Sequence, residues 1–293
     1  MKLILLALVA GVSVAVPLLQ GPAELIFGGE PAQPGQFPFF AFYIYERFLS
    51  HGFSGCGGVV IAPRYVLTAA HCTHRMLVPA DGLFGLVDMK QRDASFVQRI
   101  WISDYHTPET NRNGRETHDD IAILELEEPI VQNEYVQPIK ILRDDAAFIQ
   151  SGNVTIVGFG QYKYDENHRL LSSNKLLHTV VPIADHKFCV DAWAEHSKND
   201  SAPLVINNNQ ICCGSEGKGI GGGDSGGPML VKANDQWVVI GVASFGTSTH
   251  DLKDQQQIIP GVFNRVSPYC DFIANATKNA VECVDLPLAS VPS

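Results

Sequence analysis

The sequence predicts an all-β chain of the antiparallel, barrel-forming kind. Three observations carry that prediction. Apolar, β-branched and aromatic runs of strand length recur at Phe39–Tyr45, Cys56–Ala62, Tyr65–Ala69, Phe96–Ile102 and Ile121–Leu126. Turns of Gly, Pro, Asn and Asp separate them, and no helical period longer than two turns interrupts them. Glycine is abundant, 26 of 293 residues, whereas charged residues make up only 18%, which suits a loop-rich β protein.

A connection through Gln137-Pro138-Ile139 and Asp144-Asp145, near residues 140–150, leads into a second half. There Val154–Gly158, Leu176–Pro182, Pro228–Val231 and Trp237–Ser244 read as strands, and Glu195–Pro203 as a polar loop. Ser267-Pro268 opens a final helix, an N-cap followed by Pro at the first helical position. Tyr269, Phe272, Ile273 and Ala276 then fall at i, i+3, i+4 and i+7 on one face.

The ends of the chain speak to its compartment. Lys2, the apolar run Leu3–Val12 and the small residues Ser13-Val14-Ala15 read as a signal peptide over residues 1–15. Residues 16–25, with Pro17 and Gln20-Gly21-Pro22, read as a pro-segment, and residues 278–293 as a C-terminal tail. A secreted, extracellular protein without a membrane anchor is expected. Seven cysteines agree with an oxidising compartment. No CxxC pair with matching His spacing points to a metal. His74, His106, His118 and His168 sit among polar residues and read as surface. The segment Asp88–Val97 has too few carboxylates for calcium. Asn153, Asn199 and Asn275 each begin a glycosylation sequon. A net charge of −10 argues against nucleic acid and anionic membranes as partners.

The stretch Gly223-Asp224-Ser225-Gly226-Gly227-Pro228 is too rich in glycine for a regular helix or strand. A serine hydroxyl is a weak nucleophile unless a base takes its proton and a third group orients that base. Leu67-Thr68-Ala69-Ala70-His71-Cys72 delivers a histidine, and Asp119-Asp120-Ile121-Ala122-Ile123-Leu124 places an acid at the mouth of an apolar run. In this order the three segments resemble the trypsin/chymotrypsin-like serine proteases, over roughly Ile26 to Thr277. The order His, Asp, Ser is the worked template for that family.

That resemblance implies two antiparallel six-stranded β-barrels packed together with a C-terminal helix. It implies Ser225 as nucleophile, His71 as general base and Asp120 as the acid that orients it, with activity rising as His71 loses its proton. The amides of Gly223 and Ser225 would form the oxyanion hole. Asp119 is the rival acid, and it reads as solvated because Asp120 directly precedes Ile-Ala-Ile-Leu. Ile26-Phe27-Gly28-Gly29 matches the activation sequence, whose freed amino terminus would pair with Asp224. Leu25 precedes it where the family commonly has Arg or Lys, so an activator that prefers apolar residues, or the protein itself, would cut there. The resemblance also implies Cys56–Cys72 and Cys189–Cys212. Of the remaining cysteines, Cys270 and Cys283 would pair across the last helix and tail, leaving Cys213 free and buried. No cofactor is implied. Partners would be protein or peptide substrates and protein inhibitors, met by a monomer.

For the specificity pocket the resemblance points to Gly219 at the base, Gly246 and Gly261 as walls, and Ile220 as added apolar surface. Ser244-Phe245-Gly246 would pair with the substrate backbone. An uncharged base disfavours Arg and Lys and favours cleavage after Phe, Tyr, Leu or Met. Trypsin-like specificity would need an acid such as Asp251 or Asp254, and a protruding Ile220 would favour small side chains. The cysteines that staple this pocket in many relatives are absent, and the Thr247–Pro260 loop is long. Gly223–Gly227 also fits the G-x-S-x-G elbow of α/β-hydrolases, but His250-Asp251 follows in the wrong order. A non-catalytic homologue that binds or signals is the other class of function, and the presence of all three triad residues speaks against it.

Overall fold

A computed structural model describes residues 26–46, 53–74, 76–112 and 117–285. The signal-peptide and pro-segment readings, Leu25 included, and residues 286–293 of the tail lie outside the described residues.

A short strand β1 (Glu30–Pro31) precedes the first barrel. That barrel consists of β2 (Phe40–Glu46), β3 (Phe53–Ala62), β4 (Tyr65–Thr68), β5 (Ala80–Phe84), β6 (Gln98–His106) and β7 (Ala122–Leu126). The six strands close in the order β2-β3-β4-β7-β6-β5 through antiparallel pairs. Closure leaves no sheet edge exposed. Phe40, Tyr43, Leu67, Leu83, Phe84, Ile102 and Ile123 fill its core. The expected runs become β2, β3, β4, β6 and β7. The fifth strand, Ala80–Phe84, was hidden because Ala-Asp-Gly-Leu-Phe reads locally as a turn.

The second half contributes β8 (Lys140–Ile141), β9 (Asn153–Gly158), β10 (Gln161–Tyr164), β11 (Leu170–Ser172), β12 (Leu177–Pro182), β13 (Gln210–Cys213), β14 (Pro228–Ala233), β15 (Gln236–Phe245) and β16 (Gly261–Arg265). Six of them curl in the order β12-β9-β14-β15-β16-β13, with β1 added beside β12 and β8 parallel to β15. The seam between β13 and β12 is a single bridge, Ile183 to Cys213, flanked by the Ala184 N–Cys212 O bond at 2.8 Å and the Gly214 N–Pro182 O bond at 3.2 Å. The second barrel is thus a curled half-barrel, less fully laddered than the first. β10 and β11 form a separate hairpin.

Among the described residues, four α-helices complete the fold: α1 (Ala70–Thr73), α2 (Ala146–Ile149), α3 (His186–His196) and α4 (Cys270–Ala276). Helix α3 buries only Cys189 and Trp193, so it shows no amphipathic period in the sequence. Asp185 caps it by accepting from the Phe188 amide at 2.8 Å. The final helix opens with a 3-10 turn at Ser267–Tyr269, and the Ser267 side chain makes no cap. Ile273 is its buried residue.

The disulfides are Cys56–Cys72, Cys189–Cys212 and Cys270–Cys283. Cys213 is a free, buried thiol, and burial pushes its titration far up. Residues 278–285, set apart as tail in the sequence, pack on the body. Val284 donates to Ile141 O at 2.9 Å, and Cys283 is buried. Among the described residues no helix is long and apolar enough to cross a membrane. One apolar core runs from the first barrel into Val157, Leu176, Leu230, Val239 and Val242 of the second, and the candidate site lies along this junction.

Candidate active site

His71 stands in the one-turn helix α1, directly after β4, whose four residues are all buried. Asp120 sits just ahead of β7 and is itself buried. Pairing of β4 with β7, with Thr68 opposite Ala122, brings the two loops together. The His71 ring Nδ1 lies 2.8 Å from Asp120 Oδ2, and the His71 backbone amide donates to Asp120 Oδ1 at 2.8 Å. The Ser244 hydroxyl at the end of β15 donates to the same Oδ2. Burial alone would raise the Asp120 carboxyl. The facing His71 charge and the hydrogen bonds from the His71 ring, the Ser244 hydroxyl and the His71 amide outweigh it, and hold the group below its ordinary value. An ionised acid so placed favours the imidazole with its proton on Nδ1, leaving Nε2 to act as base.

Ser225 enters from the second barrel. Its carbonyl accepts from the Gly57 amide at 2.8 Å, Gly226 N donates to Ala243 O at 2.9 Å, and Gly227 N donates to Asp224 O at 2.9 Å. Gly57 neighbours Cys56, whose disulfide to Cys72 ties β3 to the residue beside His71. Serine and histidine are thereby held from two sides of one cleft. Gly223 has φ 102°, and the amides of Gly223 and Ser225 donate to no acceptor among the described residues. Cys56, His71 and Cys72 crowd together, but both sulfurs are in a disulfide and offer no thiolate to a metal.

A protein-family model described as Trypsin matches residues 26–273. The chain belongs to the trypsin family. It is 28% identical to Serine protease 28 of Mus musculus over 250 residues, 82% of this chain and 85% of that protein. It is 30% identical to CLIP domain-containing serine protease HP8 of Bombyx mori, covering 85% and 69% respectively. It is 27% identical to Phenoloxidase-activating factor 3 of Holotrichia diomphalia, covering 85% and 71%.

Around this trypsin-family cleft, Asp224 is fully buried and accepts from the Gly160 amide and the Gly221 amide, both at 2.8 Å. Burial pushes its carboxyl up to about 6, with the two amides acting in the other direction. Ile26 is buried in the core of the second barrel with Val154, Ile156 and Ile220, and Phe27 bridges Gly219. Asp119, read from the sequence as solvated, is half-buried and has partners of its own. It accepts from the hydroxyls of Thr110 at 2.6 Å and Tyr269 at 2.5 Å, and has φ 51°. It therefore anchors the last helix to the loop that carries Asp120.

Beside Ser225 opens a cavity of 240 Å³ lined by Ile220, Ser244, Phe245, Gly246, Lys253 and Gln256 among others. Gly219, expected at its base, has φ 155°, and a Cβ built there would fall 1.9 Å from Gln256 Oε1. No side chain fits at Gly219 while Gln256 stays in place. Gln256 is only 3% exposed, and its Nε2 donates to Ile220 O at 2.6 Å and to Lys253 O at 3.0 Å. Ile220 fills the gap between the glycine walls: its side chain comes within 2.7 Å of a Cβ built at Gly261 and 3.9 Å of one at Gly246. Neither Asp251 nor Asp254 lines the cavity. Phe245 packs edge-on against Trp193, ring centroids 5.1 Å apart. Gln256 escaped sequence reasoning because it lies in the middle of Gln255-Gln256-Gln257, with no local feature to single it out. The Gln256 amide and the Glu216–Gln255 bridge clip the long loop in place where a disulfide staple is lacking.

Proposed function

We propose that this trypsin-family protein is a secreted serine endopeptidase. It is made as a precursor, freed by a cut after Leu25, and hydrolyses peptide bonds that follow uncharged apolar or aromatic residues. The observation that carries the reading is the 2.8 Å pairing of His71 Nδ1 with buried Asp120, on the cleft that also holds Ser225. Ser225 Oγ attacks the scissile carbonyl, His71 takes its proton and passes it to the leaving amine, and Asp120 stabilises the imidazolium. The Gly223 and Ser225 amides receive the oxyanion. The cavity lining holds Lys253 and no carboxylate, which supports rejection of Arg and Lys, since they would enter without a counter-ion.

The precursor reading is supported by Asp224, a buried carboxylate with amide donors that an α-ammonium at Ile26 would neutralise. Cleavage after Leu25 fits the protein's own pocket, so slow self-activation is expected. A Ser225→Ala precursor that still matures to Ile26 without added protease would sink that part. Exposed Asn153, Asn199 and Asn275 support glycosylation of a secreted chain.

The test is turnover of peptides that differ only before the scissile bond, using protein that begins at Ile26 and its Ser225→Ala counterpart. Cleavage after Phe, Tyr, Leu or Met, abolished in the variant, is expected. No cleavage of any peptide by correctly processed protein would move the assignment to a non-catalytic homologue.

A further inference from the structure

The charged side chain in the lining of the cavity beside Ser225 is Lys253, and no acid answers it there. The lining divides by exposure. Ile220 and Gln256 are buried and form the floor, whereas Gly222, Gly246 and Ser248 are exposed and form the rim. Lys253 is half-buried, and its ammonium lies at the rim. Its Nζ donates to Gln161 Oε1 at 3.3 Å, and that oxygen falls 2.9 Å from a Cβ built at Gly222. The Gln161 amide donates to Gly222 O at 2.8 Å, which ties the three residues together. The ammonium thus stands beside the residue that precedes Gly223, on the oxyanion side of the cleft. Among the described residues no carboxylate lies within ion-pair distance of it. Asp251 pairs with His250 Nδ1 at 3.1 Å, and the charges of Asp254 and Asp251 bear on the Tyr164 hydroxyl. An ammonium has three donors, and a neutral amide oxygen takes one of them here.

We infer that Lys253 determines specificity by pairing with an acidic substrate residue, Asp or Glu, at the second position after the scissile bond. The inference rests on the protease reading above and narrows its substrate class. An extended peptide alternates its side chains between two faces. With one residue in the cavity, its immediate neighbours point away, and the residues two before and two after share its face. On the protease reading, the residues before the bond run along Ser244-Phe245-Gly246. Those after it leave past Ser225 on the side of Gly223 and Gly222, where Lys253 stands. Two residues advance the chain by about 7 Å, which clears the cavity and puts the acid at its rim. The residue inside the cavity stays uncharged. A carboxylate taken down to Ile220 and Gln256 would lose its water, whereas at the half-exposed rim it keeps part of its hydration and pairs at low cost.

The test is kcat/KM for peptides that keep Leu before the scissile bond and carry Glu, Gln or Lys in turn at each flanking position, using wild-type protein that begins at Ile26. Glu is expected to exceed Gln by about fivefold at the second position after the bond, the factor for one rim ion pair, and Lys to fall below both. The Glu/Gln ratio should shrink as ionic strength rises from about 0.1 to 1 M. Lys253→Met should bring the ratio to one, and Lys253→Glu should reverse the order so that Lys is preferred. A loop that had merely shifted would give no such reversal. Should the variants not fold, the wild-type ratio and its salt dependence decide alone. Equal rates for Glu and Gln at every flanking position overturn the inference and leave the protease reading standing. A ratio that persists in folded Lys253→Met overturns it as well, and so does a Glu preference confined to another position. No turnover of any peptide overturns the protease reading and this inference with it.

Discussion

The Gly57 amide donates to the Ser225 carbonyl at 2.8 Å, and this bond joins a strand of the closed barrel to the serine loop of the half-barrel. Its geometry depends on the next residue. Gly226 has φ 76°, and a Cβ there would fall 2.2 Å from Thr68 Oγ1 and 2.4 Å from Gly57 O. Thr68 Oγ1 is itself fixed, donating to Gly57 O at 2.8 Å and bonded to Tyr43 OH at 3.0 Å. Gly226→Ala should therefore lose about 2–5 kcal/mol of stability from left-handed backbone and overpacking together. Its remaining folded fraction should show depressed kcat, because Ser225 shifts relative to His71. Thermal melting and steady-state kinetics check this. A variant with unchanged melting temperature and kcat would show that the junction tolerates a side chain.

Two adjacent acids do different work, and paired substitutions separate them. Asp120 is buried against His71, whereas Asp119 binds the Thr110 and Tyr269 hydroxyls. Asp120→Asn should lower kcat by about four orders of magnitude, as in the family template, by favouring the wrong imidazole tautomer. Asp119→Asn should keep kcat within a few-fold and lower stability by about 1 kcal/mol. If Asp119→Asn proved the more damaging to kcat, the assignment of the acid would be reversed.

The Ser244 hydroxyl supplies a further bond to Asp120 Oδ2. Removing it leaves the carboxylate buried with one donor fewer, so its pH of protonation should rise. Ser244→Ala should shift the acid limb of the kcat/KM profile and reduce kcat several-fold, with substrate KM little changed. A pH profile superimposable on that of wild type would count against a role for this hydroxyl at the acid.

Filling the expected base of the pocket should fail on its own. Gly219→Asp places a side chain where Gln256 Oε1 lies, so one of the two must be expelled. The single variant should gain little cleavage after Arg or Lys and lose stability. Gly219→Asp with Gln256→Gly should show at least tenfold more cleavage after Arg than the single variant. Efficient Arg cleavage by Gly219→Asp alone would mean that the Gln256 side chain leaves the pocket readily.

The legible parts of this chain were those where neighbours in sequence do the work together. The histidine, acid and serine segments are each contiguous, and β2, β4 and β7 bury most of their residues, so composition betrays them. Helix α3 was illegible because two buried residues set no period. β13 and β16 are short, and their partners lie some fifty residues apart. Gln256 and Ser244 act on Ile220 and Asp120 across chain separations of 36 and 124 residues, and no local pattern encodes such a contact. The partners of Asp119 were equally hidden, because its donors come from Thr110 and from Tyr269 in the last helical segment.

Asp224 yields a prediction about the precursor. Its carboxyl is fully buried, and burial holds it at about 6 despite the Gly160 and Gly221 amides. An Asp in the unfolded chain titrates near ~3.9. Between those values the folded chain keeps a proton that the unfolded chain has released. This contribution to stability is fully present below about pH 4 and is lost as pH rises through about 6, a loss of about 3 kcal/mol. An α-ammonium at Ile26 would offset it by pairing with the ionised form. Uncut Ser225→Ala precursor should therefore lose melting temperature between pH 4.5 and 7.5, relative to the same precursor carrying Asp224→Asn. Protein that begins at Ile26 should not show that excess loss, and there Asp224→Asn should destabilise at pH 7.5. The four proteins, melted at pH 4.5, 6 and 7.5, close a cycle in which other titrating groups cancel. If cut and uncut forms respond alike to Asp224→Asn at every pH, Asp224 is not the partner of the new amino terminus.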